Sequence, residues 1–301
     1  MTKLTEGIHD GIAAADYHAD PCPLPSLSSS AAADLLARSP AHVRLNHPRF
    51  RTASDETPAS DETPAMAFGS VVHELALGKG GGFAVWGAET WRGNAAEAFR
   101  SAAAREGKTP IKRADFDRAE AVVAAMRTQL DAMGLGYVLT EGKSEQVAVW
   151  KSGGNWMRAM FDLWLLERRE IWDIKTVSRS AHPEQIARLI PTMNYHMRSE
   201  FYLMGAETLT GLPSRNGGLG YQFLFVETSA PYCVTPCFLD QSLREHGRKR
   251  AQDAINIWGR CMETGVWPGY VTAPAEIAAP SWVNFEIEDS IEITTDGARI
   301  A

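Results

Sequence analysis

Between Trp156 and Val177 the chain alternates like a strand, breaks at Glu167-Arg168-Arg169-Glu170, and alternates again through IWDIKTV. Two apolar runs around a short polar break predict a β-hairpin. Strand side chains repeat every second residue, so Asp173 and Lys175 share a face. With the four polar residues as the loop, Asp162 lies opposite Lys175 and diagonal to Asp173 on that face. The other face carries Met157, Ala159, Phe161, Leu163, Leu165, Trp172 and Ile174, which reads as a core. Upstream, GKSEQVAVW (142–150) is a strand that enters the hairpin through the tight turn Lys151-Ser152-Gly153-Gly154. Mirroring about that turn sets Glu145 opposite Met160, and so on the face of Asp162. Buried charges gathered this way are costly unless they pair or hold a cation. A structural Asp–Lys pair and a functional cluster both fit this stretch taken alone.

The remaining pattern predicts helices on either side of these strands. Residues 1–25 are expected to form an irregular arm, blocked by Pro21, Pro23 and Pro25. A helix follows, capped within Ser28 to Ser30 and ended at Ser39-Pro40, and then a short helical piece, Ala41 to Leu45, with Arg44. The positive end of the first helix could hold a phosphate. SDETPA occurs twice in tandem at 54–65, which predicts a flexible loop over about 51–65. In AMAFGSVVHELAL (65–77) the apolar spacing is helical, and His73 lies one turn after Gly69. Residues 94–133 read as a helix, a break at Gly107 and Pro110, and a helix from Ala114 to Met133. The basic residues around them, Arg92, Arg100, Arg105, Lys108, Lys112 and Arg113, suit a solvated face or a nucleic-acid path. After the hairpin come a helix opened by His182-Pro183 and interrupted at Pro191, and a longer one, NYHMRSEFYLMGAETLTG, ended by Gly211. Tyr195, Arg198 and Tyr202 share one face of that helix. LGYQFLFVET and YCVTPCFL are two further strands joined at Ser229–Pro231, and an amphipathic helix spans Asp240 to Glu263. The tail, 265–301, reads as loop, with Trp267, Tyr270 and Trp282 as anchors.

Composition narrows the class. The 301 residues are 45% hydrophobic and 22% charged, ordinary for a soluble globular chain and enough for one large domain, here taken as 1–301. Without an apolar run of spanning length or an apolar core near the start, a cytoplasmic protein off the membrane is expected. Four cysteines fit a reducing compartment. A net charge of −7 argues against a protein that coats nucleic acid non-specifically, but leaves room for a local basic groove.

Taken in order, GSVVH, F-D, WDIKT, YHMRSEFY, WPGY and P-x-W, with the entry YHADP…PSLSSS…SPAH, resemble the PD-(D/E)XK nuclease superfamily in its phage exodeoxyribonuclease VIII (RecE-type) branch. The likeness runs from Tyr17 to Trp282 and implies a mixed α/β restriction-endonuclease-like core, a central mixed sheet flanked by helices. It implies His73, Asp162, Asp173 and the Ile174 carbonyl as ligands of Mg²⁺ or Mn²⁺, with Glu145 a further acid. Lys175 would position or activate the attacking water. Ser30 and Arg44 are expected to bind a 5′ phosphate and Arg198 the scissile region, with Tyr202 a further DNA contact. Where relatives carry Q-x-x-x-Y this chain has Arg198 and Tyr202, and arginine can grip phosphate but cannot accept a hydrogen bond from water. Some relatives hold an iron–sulfur cluster on one early and three late cysteines. Cys22, Cys233, Cys237 and Cys261 are too spread for it, so buried free thiols are expected. The activity implied is a metal-dependent exonuclease acting on double-stranded DNA ends in the bacterial cytoplasm. It would form a homo-oligomeric ring and leave 3′ strands for a phage single-strand annealing protein. The alternatives are a structure-specific or single-strand endonuclease on the same fold, or a catalytically silent DNA-binding recombination adapter.

Overall fold

The computed structural model describes residues 3–51, 63–215, 217–280 and 283. In chain order the strands are β1 (Gly7–His9), β2 (Ser26–Ser28), β3 (Phe83–Trp86), β4 (Thr109–Lys112), β5 (Lys143–Ser152), β6 (Asn155–Leu165), β7 (Glu170–Val177), β8 (Gly220–Glu227) and β9 (Val234–Phe238). The α-helices are α1 (Ala14–His18), α2 (Ser29–Ala37), α3 (Pro40–Asn46), α4 (Pro64–Leu77), α5 (Asn94–Arg105), α6 (Arg113–Ala132), α7 (Tyr137–Glu141), α8 (Pro183–Thr192), α9 (Tyr195–Thr210) and α10 (Gln241–Thr264). Residues up to Trp267 form one unit, and the described stretch 268–280 of the second carries no strand or helix. Trp282 and positions 54–62 of the SDETPA repeat lie outside the described residues. The repeat's last residues are not loop: Thr63 caps α4 by accepting from Met66 N, and Pro64 opens the helix.

The main sheet is mixed, ordered β1-β5-β6-β7-β8-β9, with β2 laid parallel on β6. The arm expected to be irregular thus supplies β1, which pairs with β5, and α1. β1, like β2 just after the arm, is three residues long and has too few alternating positions to stand out by pattern.

Both central hairpins turn one residue away from the predicted place. Gly153 and Gly154, at φ 57° and 83°, make a two-residue turn, a conformation open to glycine without a Cβ clash. Met160 therefore pairs with Val147, and Glu145 is brought level with Asp162 instead of Met160. Between β6 and β7 the loop is Leu166–Arg169, closed by Arg169 at φ 59°, and Leu163 pairs with Trp172. That register carries Asp162 toward Asp173 and not toward Lys175.

The apolar residues do not form one face. Met157, Ala159, Phe161, Trp164 and Ile171 pack beneath α2, α9 and α10, whereas Leu163, Leu165, Trp172 and Ile174 join α4 and α6 on the other side. β6 therefore switches faces at Asp162. On that edge of β6, β2 pairs with residues 156–158 and β7 with residues 163–165, which leaves a gap between them. The gap is the opening at which the candidate site forms.

Candidate active site

Asp162 lies at the end of the gap, where the ladder to β7 stops. Its Oδ2 accepts the backbone N–H of Ile174 at 2.9 Å, in place of a strand partner. His73 reaches the same residue from α4, its Nε2 lying 2.8 Å from the Ile174 carbonyl and its Nδ1 3.4 Å from Asp162 Oδ2. The helix can come this close because Gly69 faces β7. A Cβ there would lie 3.1 Å from Thr176 Oγ1. His73, Asp162 and the Ile174 main chain thus meet at the point where the two strands part.

Asp173 and Lys175 project toward α9. Lys175 Nζ donates to Asp173 at 2.7 Å, and the Asp173 side chain is 8% exposed. Burial pushes the Asp173 carboxyl above its ordinary value, with nearby Asp162 adding to the rise although Lys175 opposes it. For Lys175 burial disfavours the charge, but Asp173 and Asp162 outweigh it and the ammonium is held above its usual range. Glu145, strained at φ 50°, feels burial first and then Asp162, and its carboxyl is also raised. Its acid joins the site's field through that placement.

A cavity of about 260 Å³ opens beside this pair, lined in part by Tyr195, Arg198 and Tyr202 from α9. The remaining wall includes Tyr221 and Phe223 from β8, where Phe223 is the register partner of Asp173. Sequence reasoning passed over both, although their alternation in GYQF was the available signal. Arg198 Nη1 donates to Ser30 Oγ at 3.0 Å, and Ser29 Oγ lies 3.4 Å from the Tyr202 hydroxyl. The start of α2 therefore meets α9 at the cavity rim. Ser28 caps α2 by accepting from Ala31 N. Burial holds the Tyr202 hydroxyl protonated, pushed up to about 12.

Arg44 is not brought to Ser30. It lines a different cavity, of about 320 Å³, with Ala41, Leu45, Phe50 and Trp267. Trp267 packs edge-on to Trp258, so the chain's helical unit extends into what reads as tail. On α10, Arg244 and Arg248 are committed to Glu200.

His73, Asp162, Asp173 and the Ile174 carbonyl offer imidazole and hard oxygen donors, the chemistry that suits Mg²⁺ or Mn²⁺. As they stand they satisfy one another, and among the described residues no three His, Cys, Asp or Glu are gathered closely enough to hold an ion. That donor set, placed at an opening in the sheet, fits a divalent ion.

Residues 37–277 match the PDDEXK-like domain of unknown function (DUF3799). The chain belongs to that family. Its fold is similar to that of the "Putative exonuclease" of Eubacterium rectale, with a TM-score of 0.60 at 10% identity, covering 92% of this chain and 98% of the other. A phage-related exonuclease from Haemophilus somnus 129PT matches at a TM-score of 0.33 and 11% identity, over 80% and 96% of the two chains. No curated protein is significantly similar in sequence. The chain thus has a nuclease-like PDDEXK fold, and no described helix is long and apolar enough to cross a membrane.

Proposed function

We propose that the protein is a divalent-metal-dependent exonuclease that hydrolyses phosphodiester bonds from the ends of double-stranded DNA. The observation that carries this reading is the Asp173–Lys175 pair, its carboxylate buried, set beside Asp162 and His73 at the split between β6 and β7. Clustered acids at a sheet opening cost stability and serve no packing purpose that apolar residues would not serve better. His73, Asp162, Asp173 and the Ile174 carbonyl would hold the ion, with Glu145 as an outlying acid. The ion would supply charge stabilisation to the attacking and leaving oxygens of an in-line displacement.

Lys175, cationic at neutral pH, is not a proton acceptor. Its role is to orient water and to neutralise charge growing on the phosphoryl oxygens. Arg198, steadied by Ser30, grips a phosphate at the cavity rim, and the rings of Tyr195 and Tyr202 wall the nucleotide beside it. Arg44, in its separate cavity, takes no part at this rim. Assembly into a ring and delivery of 3′ strands to a single-strand annealing protein in a bacterial cytoplasm belong to the same proposal.

The test is incubation with 5′-phosphorylated linear duplex and a covalently closed circle, in Mg²⁺, Mn²⁺ or EDTA, beside Asp173→Ala. Loss of the linear duplex only, dependent on metal and abolished by the substitution, is expected. Cutting of the circle would replace the reading with an endonuclease. Absence of cutting with DNA still bound would replace it with a silent binding module.

A further inference from the structure

The chain's charge is unevenly placed. Between Lys79 and Arg113 there are seven basic residues and three acidic ones, in a protein of net charge −7. This stretch builds an appendage outside the main sheet. β3 and β4 pair in parallel, Phe83 packs against Phe116 of α6, and α5 covers the outer side. The appendage is attached to α4, the helix that carries His73, through the contact of α4 with β4.

Its aromatic residues gather beside its arginines. Trp86 and Trp91 stack with ring centres 5.8 Å apart and 16° between planes, and Phe99 lies 5.1 Å from Trp86. None of the three is fully buried, whereas the small Ala96 and Ala103 of α5 are. Partial exposure is ordinary for one tryptophan, but here two partly exposed indoles stack on each other beside exposed arginines. The Arg100 guanidinium lies 5.7 Å from the centre of the Trp91 ring. Arg92 and Arg100 are exposed and make no ion pair among the described residues. Partly exposed stacked indoles beside guanidinium groups that make no ion pair combine an apolar π-face for bases with charge for phosphates.

We infer that this appendage is a stacking platform for an unpaired DNA strand, with bases against Trp86 and Trp91 and phosphates at Arg92 and Arg100. The inference rests on the reading that DNA is the substrate, but not on catalysis. A duplex keeps its bases stacked internally, so the indole face selects a strand that has lost its partner. In a resecting enzyme that is the strand spared by hydrolysis.

The experiment uses the full chain carrying Asp173→Ala, in EDTA, with fluorescein-labelled oligothymidylate of about 20 nucleotides and a blunt duplex of equal length, read by anisotropy. Trp91→Ala is expected to weaken strand binding roughly tenfold while duplex binding changes less than about twofold. Arg92→Ala/Arg100→Ala is expected to flatten the salt dependence of strand binding by about 1.4 in log–log slope. Melting temperatures of the variants check the fold, and Trp91→Phe, which keeps an aromatic face, should retain most of the affinity if Trp91→Ala does not fold. Unchanged strand affinity in the folded variants, or equal loss for strand and duplex, overturns the platform. Cleavage by the unsubstituted protein is read separately, so a failed platform with intact metal-dependent cutting leaves the nuclease reading standing. Failure of cutting with a working platform does the reverse.

Discussion

Arg198 occupies the helix position at which the resemblance leads one to expect glutamine, and its surroundings say what that change does. Glutamine can both donate to and accept from a water molecule, whereas arginine only donates. Here Nη1 is already directed to Ser30 Oγ at 3.0 Å, and Nε is buried without a protein partner. On the reading proposed above, the guanidinium N–H groups left free by Ser30 would be taken up by a substrate phosphate. Arg198→Ala is therefore expected to lower kcat/KM by about 10- to 100-fold, mainly through KM, because the contact is made with bound substrate before and during reaction. The salt dependence of duplex binding should flatten by about 0.9 in log–log slope, one phosphate's share. Arg198→Gln should fare no better than alanine, and recovery of full activity by glutamine would mean the residue orients water after all. Steady-state kinetics across a salt series decides between the two.

At the level of elements, the site depends on how closely α4 approaches β7. Gly69 provides the approach, and a methyl group there would stand 3.1 Å from Thr176 Oγ1, tighter than ordinary contact. Gly69→Ala should gain slightly in helix propensity yet push α4 outward by a few tenths of an ångström, loosening the contact of His73 with Ile174 O. The expected result is near-neutral stability, within about 1 kcal/mol by urea unfolding, with a clear loss of turnover. Adding Thr176→Ala should restore much of the turnover by removing the Oγ1. Equal activity in all three proteins would show that the His73 approach is not limiting. This close fit was readable in the sequence because G-x-x-x-H and D-x-K are short-range patterns fixed by one helix turn and one strand repeat. The registers were not. They depend on where each turn is centred: Gly153-Gly154 and the loop closed by the left-handed Arg169 each lie one residue from the expected centre, which moves the pairing by two residues. The switch of faces at Asp162 arises from a sheet edge shared between β2 and β7, and β2 is too short and polar to announce itself. The aromatic cavity wall was half legible for the same reason: α9 showed its face, but the pairing of β8 with β7 is a long-range fact.

Across the whole molecule, the N-terminal segment is what carries Ser29 and Ser30 to α9, and it is tied down by a buried polar knot. Asp20 accepts from Cys22 N, Ser26 N and Ser26 Oγ, while Arg158 of β6 donates to Ser26 O and Oγ. His47, after α3, completes the knot with Nε2 3.0 Å from Ser26 O and Nδ1 accepting from Arg49 N at 3.2 Å. One nitrogen facing an acceptor and the other a donor is the arrangement of a neutral imidazole, and burial pushes its pKa down to about 4, helped by Arg158 and Arg49 and opposed by Asp20 and the Ser26 carbonyl. Asp20, Arg158 and Arg49 are thus the charges around the ring. In the unfolded chain the same imidazole titrates near 6.5. Between those values the unfolded chain binds a proton that the folded protein refuses, so stability is lost as the pH falls from about 6.5 toward 4. The loss through this one group is at most about 3 kcal/mol. His47→Gln keeps a donor for Ser26 O but cannot charge. It should be less stable than the parent at neutral pH by about 1 kcal/mol, and the gap should close or reverse near pH ~5. Urea unfolding of both proteins across that range measures it. Parallel pH profiles would show that the imidazole is charged in the fold as well, and that the segment presenting Ser30 is held by an ion pair with Asp20 in place of a neutral hydrogen-bonded ring.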